Sequence, residues 1–199
     1  INIDVPCGES LYPIEVEKVL QANPTVKALY MQATETSTGA LFPVKEVAKI
    51  VQKYPDTLMV VDGITGVGVF ALPMDEWGID ILIGGSQKAL MLPPGLSFAG
   101  VSDKAWNFNK KSNIPKFYFN WAAELVNLKK NQTNFTPAIS LIIGLREALK
   151  MIRTEGLENV FRRIEILARA TREAAEALGL KIFAKNPSPA VTAICAPEG

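Results

Sequence analysis

Along the first hundred residues the spacing of apolar positions switches repeatedly between an extended and a helical rhythm. INIDVP, residues 1–6, reads as a strand from the first position. In YPIEVEKVLQA (12–22), Ile14, Val16, Val19 and Leu20 fall on a rough helical stripe that Pro24 closes. VKALYMQAT (26–34) is an apolar run of strand character, and ETSTGALFP follows as a polar, glycine-containing turn. Pro43 then opens a helix over VKEVAKIVQKY, with Val44, Val47, Ile50 and Val51 on one face, and Pro55-Asp56 breaks it. TLMVVDG (57–63) is β-rich without alternation, the pattern of a strand buried on both faces. Beyond the glycine-rich ITGVGVFALPMDEWG, DILIGGSQK (80–88) is a short apolar strand running into a turn, and LSFAGVS (96–102) is a further strand. This order predicts an α/β fold with a mostly parallel sheet flanked by helices.

The second half changes character. Residues 103–134 are polar and aromatic, with KSNIPKFYFNW expected to be irregular and KNQTNFTPA leading into a helix. Thr136 is expected to cap that helix and Pro137 to occupy its first turn, with the helix continuing to Gly156. A second helix is expected over 157–178, where Leu157, Val160, Phe161, Ile164, Leu167, Thr171, Ala174 and Leu178 recur at three- and four-residue spacing. Arg162, Arg163, Arg169, Arg172 and Glu176 form its expected solvated face. LKIFA and AVTAICA read as strands of a smaller α+β domain. The expected organisation is thus 1–135 as the larger domain, 136–178 as connecting helices, and 179–199 as the start of the smaller one. The ends read as cuts, and the chain is expected to be a piece of a longer polypeptide.

Composition narrows the chemistry. With 48% hydrophobic and 21% charged residues the chain is not disordered. Its 21 Lys+Arg and 20 Asp+Glu leave a net charge of +1, no footprint for nucleic acid or an anionic membrane. The longest apolar runs fall short of the roughly 20 residues of a membrane span. Two cysteines, Cys7 and Cys195, make no disulfide framework and too few ligands for a metal site. They read as buried apolar residues in a reducing, cytoplasmic compartment. With no histidine, Ser-His-Asp and Cys-His catalysis are excluded, as are His-ligated metals. Chemistry must rest on Lys, Asp/Glu, hydroxyls or a cofactor.

Glu35, Thr36, Ser37, Asp62, Ser86, Gln87 and Lys88 all follow strand runs, where parallel sheets collect their ligands. Lys88 follows Gly84, Gly85 and Ser86, a backbone thin enough for close approach, and a lysine amine can react with an aldehyde. Asp62 ends the apolar run TLMVV, where a carboxylate is costly unless it meets a cation. The ordinary alternatives are a solvated lysine and a turn aspartate. Together, though, an amine and an acid are the two groups that pyridoxal phosphate demands, one for its aldehyde and one for its ring nitrogen.

The segment from Asp80 to Ala99 resembles the lysine signature of class V aminotransferases: an acidic residue, an apolar run, small residues, Gln87-Lys88, and then Gly95 and a small residue. ATETSTG (33–39), VVDGITGVG (60–68) and GGSQKALMLPPG (84–95) occur in the family's order and resemble its serine–pyruvate/alanine–glyoxylate branch. The similarity runs over essentially all 199 residues. It implies a pyridoxal-phosphate enzyme moving an amino group between serine or alanine and glyoxylate or pyruvate. Lys88 would carry the cofactor and shuttle the substrate proton, and Asp62 would hold the ring nitrogen. Thr36 would bond the ring's oxygen side, and Ser86 and Gln87 would hold the phosphate. Thr136 would reach the phosphate of the neighbouring subunit of a homodimer.

The family's early phosphate loop and ring-stacking aromatic correspond to positions before Ile1, and its carboxylate-binding arginine to a position after Gly199. A position often held by His is Ala33 or Gln32 here, and an aromatic expected before Thr136 falls on Thr133 or Asn134. The chain alone is therefore expected to be inactive. The alternatives are a lyase or desulfurase of the same superfamily, which would need a mobile nucleophilic cysteine, and an inactive piece. Some members of this branch are labelled soluble hydrogenase subunits, but two isolated cysteines cannot supply nickel–iron or iron–sulfur ligation.

Overall fold

The structure, a computed structural model, describes residues 1–197; the last two residues of the segment expected to begin a smaller domain lie outside the described residues. Four strands form the main sheet: β1 (Ala28–Gln32), β4 (Leu58–Asp62), β5 (Ile81–Gly85) and β6 (Ser97–Val101). They lie in the order β1-β4-β5-β6, the first three parallel and β6 antiparallel to β5. This is the α/β architecture that the apolar rhythm predicts. β4 hides Met59, Val60 and Val61 in succession, as a strand without alternation must when both faces are covered.

One cover is α1 (Pro13–Ala22) packed with α2 (Val44–Val51). α1 inserts Val16 and Leu20; α2 inserts Val44, Val47, Ala48, Ile50 and Val51, and the two meet Met31, Met59, Val61 and Ile79 in one core. Between β1 and α2 a short antiparallel hairpin, β2 (Thr34–Glu35) and β3 (Ala40–Leu41), closes the ETSTG turn. α3 (Met74–Trp77) ends on Gly78.

Asp80, the acidic residue of the lysine signature, sits at the opposite end of β5 from Lys88. It is buried, its Oδ2 accepts the Met59 N–H at 2.9 Å and meets Lys104 Nζ at 3.2 Å, and its Oδ1 accepts the Ser102 hydroxyl at 2.7 Å. A buried carboxylate so fully partnered is a brace between strands and helix.

Several expectations need correction. INIDVP is not a strand: it pairs with no neighbour, and together with β1 and α1 it lines a groove of about 650 Å³. KSNIPKFYFNW is irregular over 112–120 as expected, but it is flanked by two helices that the pattern did not predict. These are α4 (Asp103–Lys111), whose N-cap Ser102 accepts from Ala105 N–H, and α5 (Trp121–Leu128), whose N-cap Asn120 does the same for Ala123.

Thr136 is not a helix cap. α6 (Ile139–Glu155) starts two residues later, after Ala138, whose carbonyl accepts the Ile142 N–H and which has no side-chain cap to offer. α7 (Leu157–Ala177) follows across Gly156 as expected. Arg172 leaves the solvated face of α7: its side chain is 16% exposed and Nη2 reaches Glu165 at 3.3 Å. LKIFA and AVTAICA form an isolated bridge, Ile182 to Ile194, and not two strands. Cys7 is exposed and Cys195 half-buried, so neither is the buried apolar residue expected; both thiols are free. Among the described residues no helix is long and apolar enough to cross a membrane.

Candidate active site

Register brings the chemistry together. Parallel pairing sets Gln32 beside Asp62 and Asp62 beside Ile83, so β1 and β4 end level and β5 runs two residues further, to Gly85. Three loops leave that edge: the ETSTG turn, the turn from Asp62, and the lysine loop after Gly85. In a parallel sheet these carboxyl ends are where a ligand meets loop backbone and helix starts.

Asp62 is the last residue of β4 and is exposed, with Oδ1 accepting the Ile64 N–H at 2.9 Å. The same turn is closed by Gly63 O, which accepts from Gly66 N–H at 2.8 Å and Val67 N–H at 2.7 Å. Gly68 (φ +84°) then bends it toward the lysine loop; a Cβ there would lie 3.0 Å from that of Ala89, the residue after Lys88. The Asp62 turn and the Lys88 loop therefore touch. Lys88 and Gln87 are exposed at the head of that loop. The Lys88 carbonyl accepts Met91 N–H at 2.9 Å, and Met91 takes a left-handed φ of 57°, a conformation that a side-chain-bearing residue holds only where its surroundings impose it.

Ser86 behaves differently from its neighbours. It is fully buried, and its hydroxyl donates to Pro93 O at 2.8 Å and accepts Leu96 N–H at 3.2 Å. That hydroxyl ties the two limbs of the lysine loop together and is not presented to a ligand.

On the β1 side, Thr36 is exposed and its Oγ1 lies 2.8 Å from Thr65 Oγ1, which joins the ETSTG turn to the Asp62 turn. Glu35 clasps the turn from beneath, accepting Ser37 N–H at 2.9 Å, Ser37 O–H at 2.7 Å and Gln32 Nε2 at 3.1 Å. The Ser37 hydroxyl and then its N–H hold the Glu35 carboxyl below its ordinary 4.5, against the opposing effect of burial and with a smaller contribution from Gln32. The C-terminal segment closes the far side. Thr34 and Ser188 share a buried hydroxyl pair at 2.9 Å, Ser188 N–H donates to Gly39 O, and Leu41 N–H donates to Asn186 O. Gly39 (φ +74°) leaves no room for a side chain, since a Cβ would fall 2.9 Å from Val191 O.

The structure thus gathers Thr36, Asp62, Gln87 and Lys88 at one sheet edge, with Ser86 beneath them. Thr136 stands outside the cluster, exposed in the segment ahead of α6. Thr65 and Ser188 were not legible as site residues in the sequence, and Glu35 and Ser37 were legible only as positions after a strand, not as a bonded pair. The signal that could have pointed to Thr65 was its place three residues after Asp62 within one turn.

The donor set fits pyridoxal phosphate. An exposed amine, carboxylate, hydroxyl and amide stand on adjacent loops, matching an aldehyde, a protonated ring nitrogen, a ring oxygen and a phosphate respectively.

Comparison with known proteins agrees with this geometry. The family model "Aminotransferase class-V" matches residues 8–196. The chain belongs to the class-V aminotransferase family. A protein named soluble hydrogenase, small subunit, from a Synechococcus strain is 39% identical over 202 residues, covering 100% of this chain and 52% of that protein. The serine–glyoxylate aminotransferase of Methylorubrum extorquens is 40% identical over 207 residues, covering 96% of this chain and 50% of that one. The crystal structure of an alanine–glyoxylate aminotransferase from Nostoc sp. superposes with a TM-score of 0.88 at 30% identity, covering 99% of this chain and 53% of that one. The chain spans about half the length of the curated class-V relatives it matches.

Proposed function

We propose that this chain supplies the lysine-bearing part of a pyridoxal-phosphate-dependent aminotransferase that moves an amino group between a small amino acid, serine or alanine, and a small 2-oxo acid, glyoxylate or pyruvate. The observation that carries this reading is the contact between the Asp62 turn and the Lys88 loop, beyond the carboxyl ends of two parallel strands. The serine–glyoxylate and alanine–glyoxylate names of two family members support the substrate class. The hydrogenase name of the Synechococcus relative finds no footing in a chain with two cysteines and no histidine.

When bound, the cofactor supplies an electron sink for the carbanion at the substrate Cα. Lys88 Nζ would hold the cofactor by its aldehyde and, once free, would be the base that takes the proton from the substrate Cα and holds it for return. The Asp62 carboxylate would keep the ring nitrogen charged, Thr36 would donate to the ring's oxygen side, and Gln87 would contribute to holding the phosphate. Ser86 acts one step back, holding the loop that carries Lys88. In this reading residues 1–135 bind the cofactor, 136–178 connect, and 179–199 begin a second unit. Turnover belongs to the intact protein, a homodimer in which Thr136 serves the neighbouring subunit's phosphate. Its free thiols suit a reducing, cytoplasmic setting.

The test uses the intact protein. Added pyridoxal phosphate gives an absorption band near the visible edge that borohydride abolishes, and mass spectrometry then finds the reduced label on Lys88. Lys88→Ala lacks the band and loses turnover of serine or alanine with glyoxylate by at least about a thousandfold. A label elsewhere, or none, overturns the reading.

A further inference from the structure

The Thr36–Thr65 contact joins two loops that the proposed mechanism otherwise uses separately. Thr36 needs no help in placing its backbone: the Glu35 clasp fixes Ser37 on one side, and Gly39 N–H donates to Glu35 O at 2.8 Å on the other. What remains free is the rotation of the Thr36 hydroxyl. Thr65 lies beneath it, only 8% exposed, in the same turn that holds Asp62 Oδ1 on the Ile64 N–H. A hydroxyl has one proton to donate and two lone pairs. Either threonine can donate across the 2.8 Å contact. An oxyanion in front of Thr36 selects one order, Thr65 to Thr36 to oxyanion, because Thr36 can then donate its single proton forward while accepting from behind. Such a relay strengthens the forward bond.

We infer that Thr65 is a positioning residue, which orients and polarises the Thr36 hydroxyl toward the ring oxygen of the cofactor and couples that contact to the turn bearing Asp62. The inference rests on the aminotransferase reading. A hydrogen bond donated to the ring oxygen draws off negative charge that would otherwise hold the nearby proton on the cofactor–lysine linkage. Weakening the relay therefore raises the pH at which that proton is lost.

The experiment is a spectral titration of the borohydride-sensitive band in the intact, cofactor-loaded protein. Thr65→Val keeps the side chain's shape and removes its proton. It is expected to move the midpoint upward by about half a pH unit, the size of a partial loss of one hydrogen bond, while Thr65→Ser restores it. Cofactor affinity falls roughly threefold in the valine variant, by the same arithmetic. Thr36→Val, at an exposed position that the fold does not depend on, moves the midpoint at least as far. The double variant matches Thr36→Val alone, because Thr65 acts through Thr36. A midpoint unmoved in Thr65→Val, or a double variant in which the two shifts add, overturns the inference while leaving the aminotransferase reading standing. Should Thr65→Val not fold, an unmoved midpoint in Thr36→Val overturns it equally. Absence of the band from the unsubstituted protein overturns both.

Discussion

The sheet region and the helical region of this chain treat their apolar residues in opposite ways. Residues of β4 and α2 disappear into a common core, with Met59, Val47 and Val61 wholly buried. In the segment from 113 to 135 and along α6, Phe117, Phe119, Ile139, Ile143 and Met151 stand exposed, Phe117 at 85% and Phe119 at 82%. The exposed segment is still ordered from within: Phe135 stacks on Tyr118 at 4.6 Å and meets Phe117 edge-on at 6.3 Å. The contrast teaches that the candidate site's edge rests on a buried core, whereas Thr136 rises from an exposed apolar surface that the proposed homodimer would cover.

That contrast can be tested from its strongest side to its weakest, by urea unfolding of the intact protein. Met59→Ala, which empties a fully buried position in β4, is expected to cost about 3 kcal/mol. A loss under about 1 kcal/mol would mean that the sheet does not carry the fold. Ser188→Ala leaves the buried Thr34 hydroxyl without its partner and is expected to cost about 1.5 kcal/mol. No loss there would separate the C-terminal segment from the site loop.

Glu35 gives a test by pH. Its folded-state value lies below the ordinary 4.5, so its contribution to stability is fully present above that value and fades as pH falls through the folded value. Glu35→Gln should therefore narrow the stability gap to the parent as the pH is lowered below about 4.5, read from urea midpoints across the acid range. A gap that is constant with pH would remove the clasp from the description of the site. The smallest effect on folding is expected at Phe119→Ala, under about 0.5 kcal/mol, with weaker self-association seen in sedimentation. A large folding cost there would break the contrast between the regions.

Legibility followed the same division. β4, α2 and α7 were readable because a long or dense apolar pattern has one good solution. α4 was not, since it is short and rich in Lys and Asn, and α5 was not, since its 8 residues give too short an apolar pattern, although their caps Ser102 and Asn120 stand in plain view. Thr136-Pro137 looked like a helix start because residue type alone cannot tell a cap from an extended residue two places ahead of one. INIDVP alternates as a strand should, but strand formation depends on a neighbour, and sequence alternation does not supply it.

The local pattern was enough to say that an amine at Lys88, a carboxylate at Asp62 and a hydroxyl at Thr36 follow strands, because residue type and position after an apolar run are local facts. Tertiary structure alone settled which polar groups face outward and which are tied down. Ser86 is closed on Pro93 and Leu96, Thr36 is paired with Thr65 across 29 residues, and Thr34 with Ser188 across 154. A hydrogen bond is short and directional, so its partner is chosen by the packing that brings two loops within 3 Å, and no pattern along the chain encodes that distance.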